Sequence, residues 1–193
     1  MDNKKIRCQW AGSDPIYIRY HDTEWGVPVF DDEKLFEFLI LEGMQAGLSW
    51  ITILKKRENF ASAFDDFKAE KIACYNRTRL ESLMNNSGII RNRRKIDAAV
   101  GNARAYLKAQ ETHGTFSAYI WQFIDGTPVR NAWKSIHEVP AETPESTAMS
   151  KDLKNRGFRF VGPTICYAFM QAVGMVNDHT VDCFRYHELS IRE

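Results

Sequence analysis

Two cysteine–histidine pairs lie near opposite ends of the chain. Cys8 is followed by His21 with twelve residues between, and His179 precedes Cys183 with three between, in HTVDC. Two Cys and two His make a complete tetrahedral ligand set for structural zinc. On a helix, the i, i+4 spacing of His179 and Cys183 turns both side chains to one face. Joined through a metal, segments 8–21 and 179–183 would form a clamp that orders a chain end, where disorder is the default. The competing reading is chance: half-pairs of Cys and His are common, and the order Cys…His…His…Cys is not the usual finger pattern. His187, close behind Cys183, competes for the fourth position, and otherwise reads with His113 and His137 as a surface residue. Cys74 and Cys166 sit on apolar helical stripes and read as core thiols.

A second constellation combines aromatics with one acid. Trp10, Tyr17, Tyr20 and Trp25 crowd the stretch CQWAGSDPIYIRYHDTEWG, and Glu42 and Trp50 share LEGMQAGLSW. Glu42 extends an otherwise apolar helical run. Buried there, it costs on the order of several kcal/mol unless hydrogen-bonded. Aromatic walls with one acceptor suit a planar ligand carrying N–H donors, such as a purine base turned out of its stack. The alternative places the aromatics in the core and Glu42 at the surface or at a cap.

A third feature is FRFVGPTICYAF, read as helix, tight glycine turn, helix. The backbone N–H groups of a Val-Gly-Pro turn at a helix N-terminus can face an anion, a phosphate above all. Gly162 and Thr164 belong to that turn, and Lys154, Arg156 and Arg159 flank it with positive charge. The arrangement is similar to the helix–hairpin–helix element that grips a DNA phosphate without reading sequence. An ordinary αα-corner accommodates Gly and Pro equally well. The clusters Arg91–Lys95 (RNRRK) and Lys55–Arg57 (KKR) read as solvated helix faces.

The elements that must position these residues are helical. Asp31 or Asp32 caps a helix through EKLFEFLILEG, where Leu35, Phe36, Leu39 and Ile40 form one stripe. Gly43 and Gly47 interrupt the pattern, and LSWITILKKRENF resumes it. DFKAEKIACY and RTRLESLMNNSG predict two short helices. IIRNRRKIDAAVGNARAYLKAQ predicts one long helix, and GTFSAYIWQFI a further short one. HEVPAETPESTAMS, His137–Ser150, reads as one surface loop, and STAMSKDLKNRG, overlapping its end, predicts a helix that starts with a Ser/Thr cap and stops on Gly157. The last helix runs from Pro163 to Gly174, with proline just inside its start and glycine at its end. Few segments alternate with period two, so the fold class is all-α.

The 193 residues suit one compact unit spanning 1–193, or two closely packed helical lobes. No apolar run reaches the length of a membrane span, and MDNKKIRCQW is not a secretory leader, which makes the cytoplasm the default location and reduced thiols the expectation. The formal net charge of +1 argues against nucleic-acid binding by bulk charge and leaves room for a local basic face.

Together, CQWAGSDPIYIRYHDTEWGVP, LEGMQAGLSWITILKKRENF, GIIRNRRKIDAAVGNARAYL and GFRFVGPTICYAFMQAVGMVNDH resemble the constitutive bacterial 3-methyladenine DNA glycosylase I family. The resemblance covers the chain from about Cys8 to Cys183. It implies a helix–hairpin–helix glycosylase fold, excision of N3-methyladenine from alkylated double-stranded DNA, release of free 3-methyladenine, and a structural zinc on Cys8, His21, His179 and Cys183. It implies a base pocket of Glu42, Tyr20 and Trp50, with Glu42 and Tyr20 acting in catalysis and Trp10, Tyr17 and Trp25 lining nearby. Leu48 falls where the family fills the gap left by the flipped nucleotide. Many helix–hairpin–helix glycosylases carry an aspartate after the hairpin in a VDTH-like context. Here that region reads VNDHTVDC, with Asp178 and Asp182 nearby, and the resemblance implies chemistry without that aspartate. With no lysine nucleophile, no lyase step is expected. A monomer in the cytoplasm of a bacterium, associated with its nucleoid, completes the expectation.

Overall fold

Side-chain caps start most of the helices that the sequence predicts. The computed structural model describes residues 5–189; residues 1–4 and 190–193, the two ends of the 1–193 unit expected above, lie outside the described residues. Among the described residues the order is α1 (Pro15–Thr23), α2 (Asp32–Gln45), α3 (Trp50–Leu54), α4 (Arg57–Ala63), α5 (Ala69–Ala73), α6 (Arg77–Asn85), α7 (Arg93–His113) and α8 (Phe116–Trp121). Then follow β1 (Val129–Arg130), α9 (Pro144–Asn155), α10 (Pro163–Ala172), β2 (Val176–Asn177) and α11 (Phe184–Glu188). The two strands pair in parallel, Val129 opposite Val176, and the molecule is otherwise helical, in line with the all-α expectation. None of these helices is long and apolar enough to cross a membrane.

Asp31 caps α2 by accepting the Lys34 N–H at 2.8 Å, and Asn92 caps α7 by accepting that of Lys95 at 3.2 Å. Thr143 and Ser146 form a reciprocal capping box at the start of α9. α2 and α7 carry the centre of the core: Phe36, Leu39 and Ile40 from one helix and Ile96, Ala103 and Tyr106 from the other are buried. Large apolar side chains of this kind each gain about 1.5–3 kcal/mol on burial.

Several boundaries differ from expectation, for physical reasons. Gly43 does not interrupt α2 but lies inside it, with Phe160 at ordinary contact distance, 3.5 Å from where a Cβ would sit. The break comes at Gly47, at φ +78°. LSWITILKKRENF splits into α3 and α4. DFKAEKIACY divides into a 3-10 turn, Asp65–Phe67, and α5. The long helix starts at Arg93, leaving Ile89–Asn92 as a non-helical entry. Thr143 starts α9 inside the segment read as loop. Cys74 is exposed rather than core, since α5 ends at Ala73, whereas Cys166 is buried. The helix α1 was not marked by the sequence pattern; Asp14 caps it, with Pro15 at its first position.

The hairpin between α9 and α10 spans residues 156–162. Gly157 adopts φ +93° and Phe160 φ +55°, so the turn takes two left-handed residues. Ser150 Oγ donates to the Val161 carbonyl at 2.6 Å and fixes the exit. At the far end of α10, Gly174 sits at φ +69° with the Val27 backbone where a Cβ would be, at 2.3 Å. Only glycine allows the N-terminal arm to cross there, where Gly26 and Val29 donate to the carbonyls of Gln171 and Val173.

Candidate active site and metal-ligand cluster

The two cysteine–histidine pairs meet. Cys8, His21, His179 and Cys183 are all buried, and their ligand atoms lie within 4.8 Å of one another. His179 and Cys183 are not on a helix, as their spacing had suggested; the turn between β2 and α11 brings them together instead. His187 is exposed and takes no part. His21 Nδ1 lies 2.8 Å from Asp22 Oδ1, and Asp22 is itself gripped by Arg7 at 2.7 Å. His179 Nε2 lies 3.1 Å from the Trp25 carbonyl. Carboxylate and carbonyl accept only, so each ring carries its proton there, which turns the lone pairs of His21 Nε2 and His179 Nδ1 inward. Both face Cys183 Sγ, at 3.4 and 3.5 Å, and His179 Nδ1 also faces Cys8 Sγ at 3.4 Å. The hydrogen bond between the two sulfurs draws the Cys183 thiol down, and the same bond, then burial, pushes that of Cys8 up. Two sulfurs and two inward lone pairs, with the outer ring nitrogens already held, are a donor set that fits tetrahedral zinc.

The aromatics form the wall beside this cluster. Trp10 packs on Tyr17 and Trp25, with ring centroids at 5.0 and 4.8 Å, and Trp25 meets the His179 ring edge-on at 4.6 Å. Tyr20, on α1, is buried against Trp50 at the start of α3, centroids 5.5 Å apart. With Glu42 from α2, these six residues line a cavity of about 220 Å³. That is below the roughly 300–1,000 Å³ typical of drug-sized ligands, the scale of one flat ring system.

Glu42 is 3% exposed, and its Oε2 has no hydrogen-bond partner within the protein; nor has the indole N–H of Trp50. Burial pushes the Glu42 carboxyl up to about 8, so near neutral pH it holds its proton. Burial, and then the neighbouring Glu42, raise Tyr20 well above the usual phenol range. An orphaned acid and an orphaned N–H in one aromatic cavity form a polar pair without an internal use.

Reading the sequence missed part of the lining. Gln45, Ile136, Val139, Ala168, Gln171 and Asp178 also face the cavity. Ala168 and Gln171, three apart on α10, share a face, a signal that periodicity offers but does not single out. Asp178 is buried, and each of its oxygens already accepts two hydrogen bonds. Asn131 and Trp133 hold one at 2.7 and 2.8 Å, and Tyr167 and Gln171 the other at 2.6 and 2.7 Å. Asp182 is exposed.

The hairpin residues stand away from the core. Thr164 and Arg159 are exposed, and nothing lies within 4 Å of where a Gly162 Cβ would sit. α10 has no side-chain cap, and the first N–H to bond back is that of Cys166, to the Gly162 carbonyl at 2.8 Å. Arg159, Lys154 and Arg94 line a shallow hollow beside the turn. Leu48 is 41% exposed at the tip of the loop between α2 and α3. Lys95, expected on a solvated face, is instead buried, its stem within α7's packed side.

The chain is similar to known proteins over most of its length. It is 52% identical over 180 residues, 93% of this chain and 96% of the relative, to DNA-3-methyladenine glycosylase 1 of Escherichia coli. It is 51% identical over 177 residues, 92% and 96% of the two chains, to DNA-3-methyladenine glycosylase of Haemophilus influenzae. A solved structure of 3-methyladenine DNA glycosylase I from Staphylococcus aureus, described for its recognition of 3-methyladenine, superposes with a TM-score of 0.90 at 38% identity, covering 92% of this chain and 95% of that one. The family model for methyladenine glycosylase matches residues 10–186, and the chain belongs to that family.

Proposed function

We propose that this chain removes N3-methyladenine from alkylated double-stranded DNA as a monofunctional glycosylase, acting on a base turned out of the helix and releasing free 3-methyladenine. The observation that carries the reading is the orphaned Glu42 carboxyl in an aromatic cavity of single-base size. The relatives, named as DNA-3-methyladenine glycosylases, support it.

N3-methylation makes the adenine cationic, and its glycosidic bond is weak because the base leaves neutral. The C1′–N9 bond breaks, its electron pair passes to the base, and the deoxyribose gains oxocarbenium character. Water adds at C1′ and gives up a proton. No strong general acid is needed for departure. Trp50 stacks on the cationic ring, which gains from an electron-rich face. Glu42 accepts from the exocyclic amine. A cation entering the cavity favours ionised Glu42, an attraction that neutral adenine does not evoke, so charge and fit select the lesion together. Tyr20 hydrogen-bonds near the sugar-linked side of the base. Trp10, Tyr17 and Trp25 exclude water around it. Leu48 fills the space vacated in the duplex, and Gly162, Thr164 and Arg159 hold a phosphate without reading sequence. No lysine is among the cavity-lining residues, which supports simple hydrolysis over a Schiff-base lyase step. Cys8, His21, His179 and Cys183 would hold a structural zinc; four protein ligands leave no position for a reactive water. We read the chain as a cytoplasmic monomer that works along the bacterial chromosome.

The test is release of 3-methyladenine from methylated duplex DNA, followed chromatographically, with borohydride added to trap any imine. Base release without a trapped adduct is expected. Duplex binding with no base release would leave a DNA-binding module and overturn the assignment.

A further inference from the structure

Two buried polar residues of α7, seven positions apart, each hold the backbone of a different loop. Lys95 Nζ donates to the carbonyls of Met44 and Ala46, at 2.8 and 2.6 Å, at the C-terminal end of α2 and the root of the loop that carries Leu48. Asn102 clasps Arg159 in the hairpin from both sides: its Nδ2 donates to the Arg159 carbonyl at 3.0 Å, and its Oδ1 accepts the Arg159 N–H at 2.8 Å. Lys95 is 6% exposed and Asn102 3%. A seven-residue step nearly completes two turns, so both leave the same face, about 10 Å apart along one rigid axis.

The chemistry of Lys95 is unusual for a residue with only a structural task. No salt bridge joins it to a carboxylate among the described residues. Its ammonium is buried on carbonyls alone and complemented by the negative end of the α2 dipole. Methionine would fill the same space without the desolvation cost. What the ammonium adds is fixed geometry: it closes two carbonyls that α2 leaves open where the chain turns toward Leu48. Phe160 resting on Gly43 brings hairpin and α2 together between the two anchor points.

We infer that Lys95 and Asn102 are positioning residues that make α7 a strut, setting the Leu48 loop and the phosphate-gripping hairpin at a fixed separation, so that insertion at a lesion and the hold on the backbone act in register. The inference rests on the glycosylase reading above. It assigns different losses to the two residues. Loosening the Leu48 loop removes the preference for a gapped duplex. Loosening the hairpin weakens the hold on any duplex.

The experiment compares wild type, Lys95→Met and Asn102→Leu with three probes: free 3-methyladenine, an undamaged duplex, and the same duplex carrying a tetrahydrofuran abasic site. K95M is expected to bind the free base and the undamaged duplex within about twofold of wild type and to lose at least tenfold on the abasic duplex. N102L is expected to lose at least fivefold on both duplexes while keeping their ratio. Wild-type affinities in both variants, or losses on all three probes in proportion to the unfolded fraction, would overturn the strut. Failure of wild type to bind the base or prefer the abasic duplex would instead overturn the glycosylase reading. Hydrogen exchange on the free wild-type protein reads the strut without DNA and without a variant. The Arg159 amide, on an exposed residue, should be protected as well as the amides of α7, and exchange there at an unprotected rate overturns the inference.

Discussion

His179 Nε2 donates to the carbonyl oxygen of Trp25 at 3.1 Å while the two rings meet edge to face at 4.6 Å. The relationship joins the Cys/His cluster to the wall of the cavity. Whatever orders His179 also orders Trp25, and through it Trp10.

Replacement of Cys8 by alanine should therefore act on both. Loss of one ligand should remove about one equivalent of zinc and on the order of 3 kcal/mol of stability. For a chain of this size that is a fall in Tm of about 6–12 °C. Elemental analysis and calorimetry check it, and affinity for free 3-methyladenine should fall as the wall loosens. Unchanged metal content with an unchanged Tm would refute the clamp.

Glu42 gives stability a pH dependence with a definite sign. Its pKa in the folded chain is about 8, against an ordinary 4.5. Below pH 4.5 the carboxyl is neutral in both states and carries no penalty. Between 4.5 and 8 the unfolded chain ionises and the folded one resists, so stability drains away as pH rises, by up to about 1.4 kcal/mol per pH unit. Glu42→Gln should be more stable than wild type by on the order of 2–4 kcal/mol at pH 7.5, with the difference vanishing at pH 4. Thermal melts across that range measure it, and a difference independent of pH would contradict the buried neutral acid.

The same variant should separate recognition from DNA binding. With the anionic acceptor removed, excision of 3-methyladenine is expected to fall at least about tenfold, equivalent to 1.4 kcal/mol, while duplex affinity stays within about twofold. Equal losses of both would remove Glu42 from the chemistry.

Trp50 offers a complementary measurement. Trp50→Leu keeps an apolar side chain but deletes the stacking face and the orphaned N–H. Affinity for free 3-methyladenine should drop by about 1–3 kcal/mol, the usual worth of one base–aromatic stack. Retained affinity would place the base elsewhere in the cavity.

Leu48 is the reverse case. Being 41% exposed, it contributes little to the core, and Leu48→Ala should leave stability within about 0.5 kcal/mol. Excision from duplex DNA should nonetheless fall severalfold, with affinity for the free base untouched. Parallel losses on duplex and free base would show that the side chain supports the pocket rather than the duplex.

Periodicity and capping residues alone determined the helical fold class. Local sequence fixes hydrogen bonds within a turn, and the cap at Asp31 and the stop at Gly157 are local. Residue type alone also nominated Cys8, His21, His179, Cys183, Glu42 and the aromatics, because thiols, imidazoles and indoles announce their chemistry. Tertiary structure decided which of them meet. His179 and Cys183 converge through a turn instead of a helix, Cys74 falls outside the core at a helix end, and Lys95 turns inward from a run of exposed arginines. Gln171 and Asp178 line the cavity beside residues of the N-terminal arm, which crosses against Gly174 at the end of α10. A close approach between segments almost 150 residues apart leaves no period in the sequence. It is set by how the packed helices stack, and that is why the site's members were legible while its assembly was not.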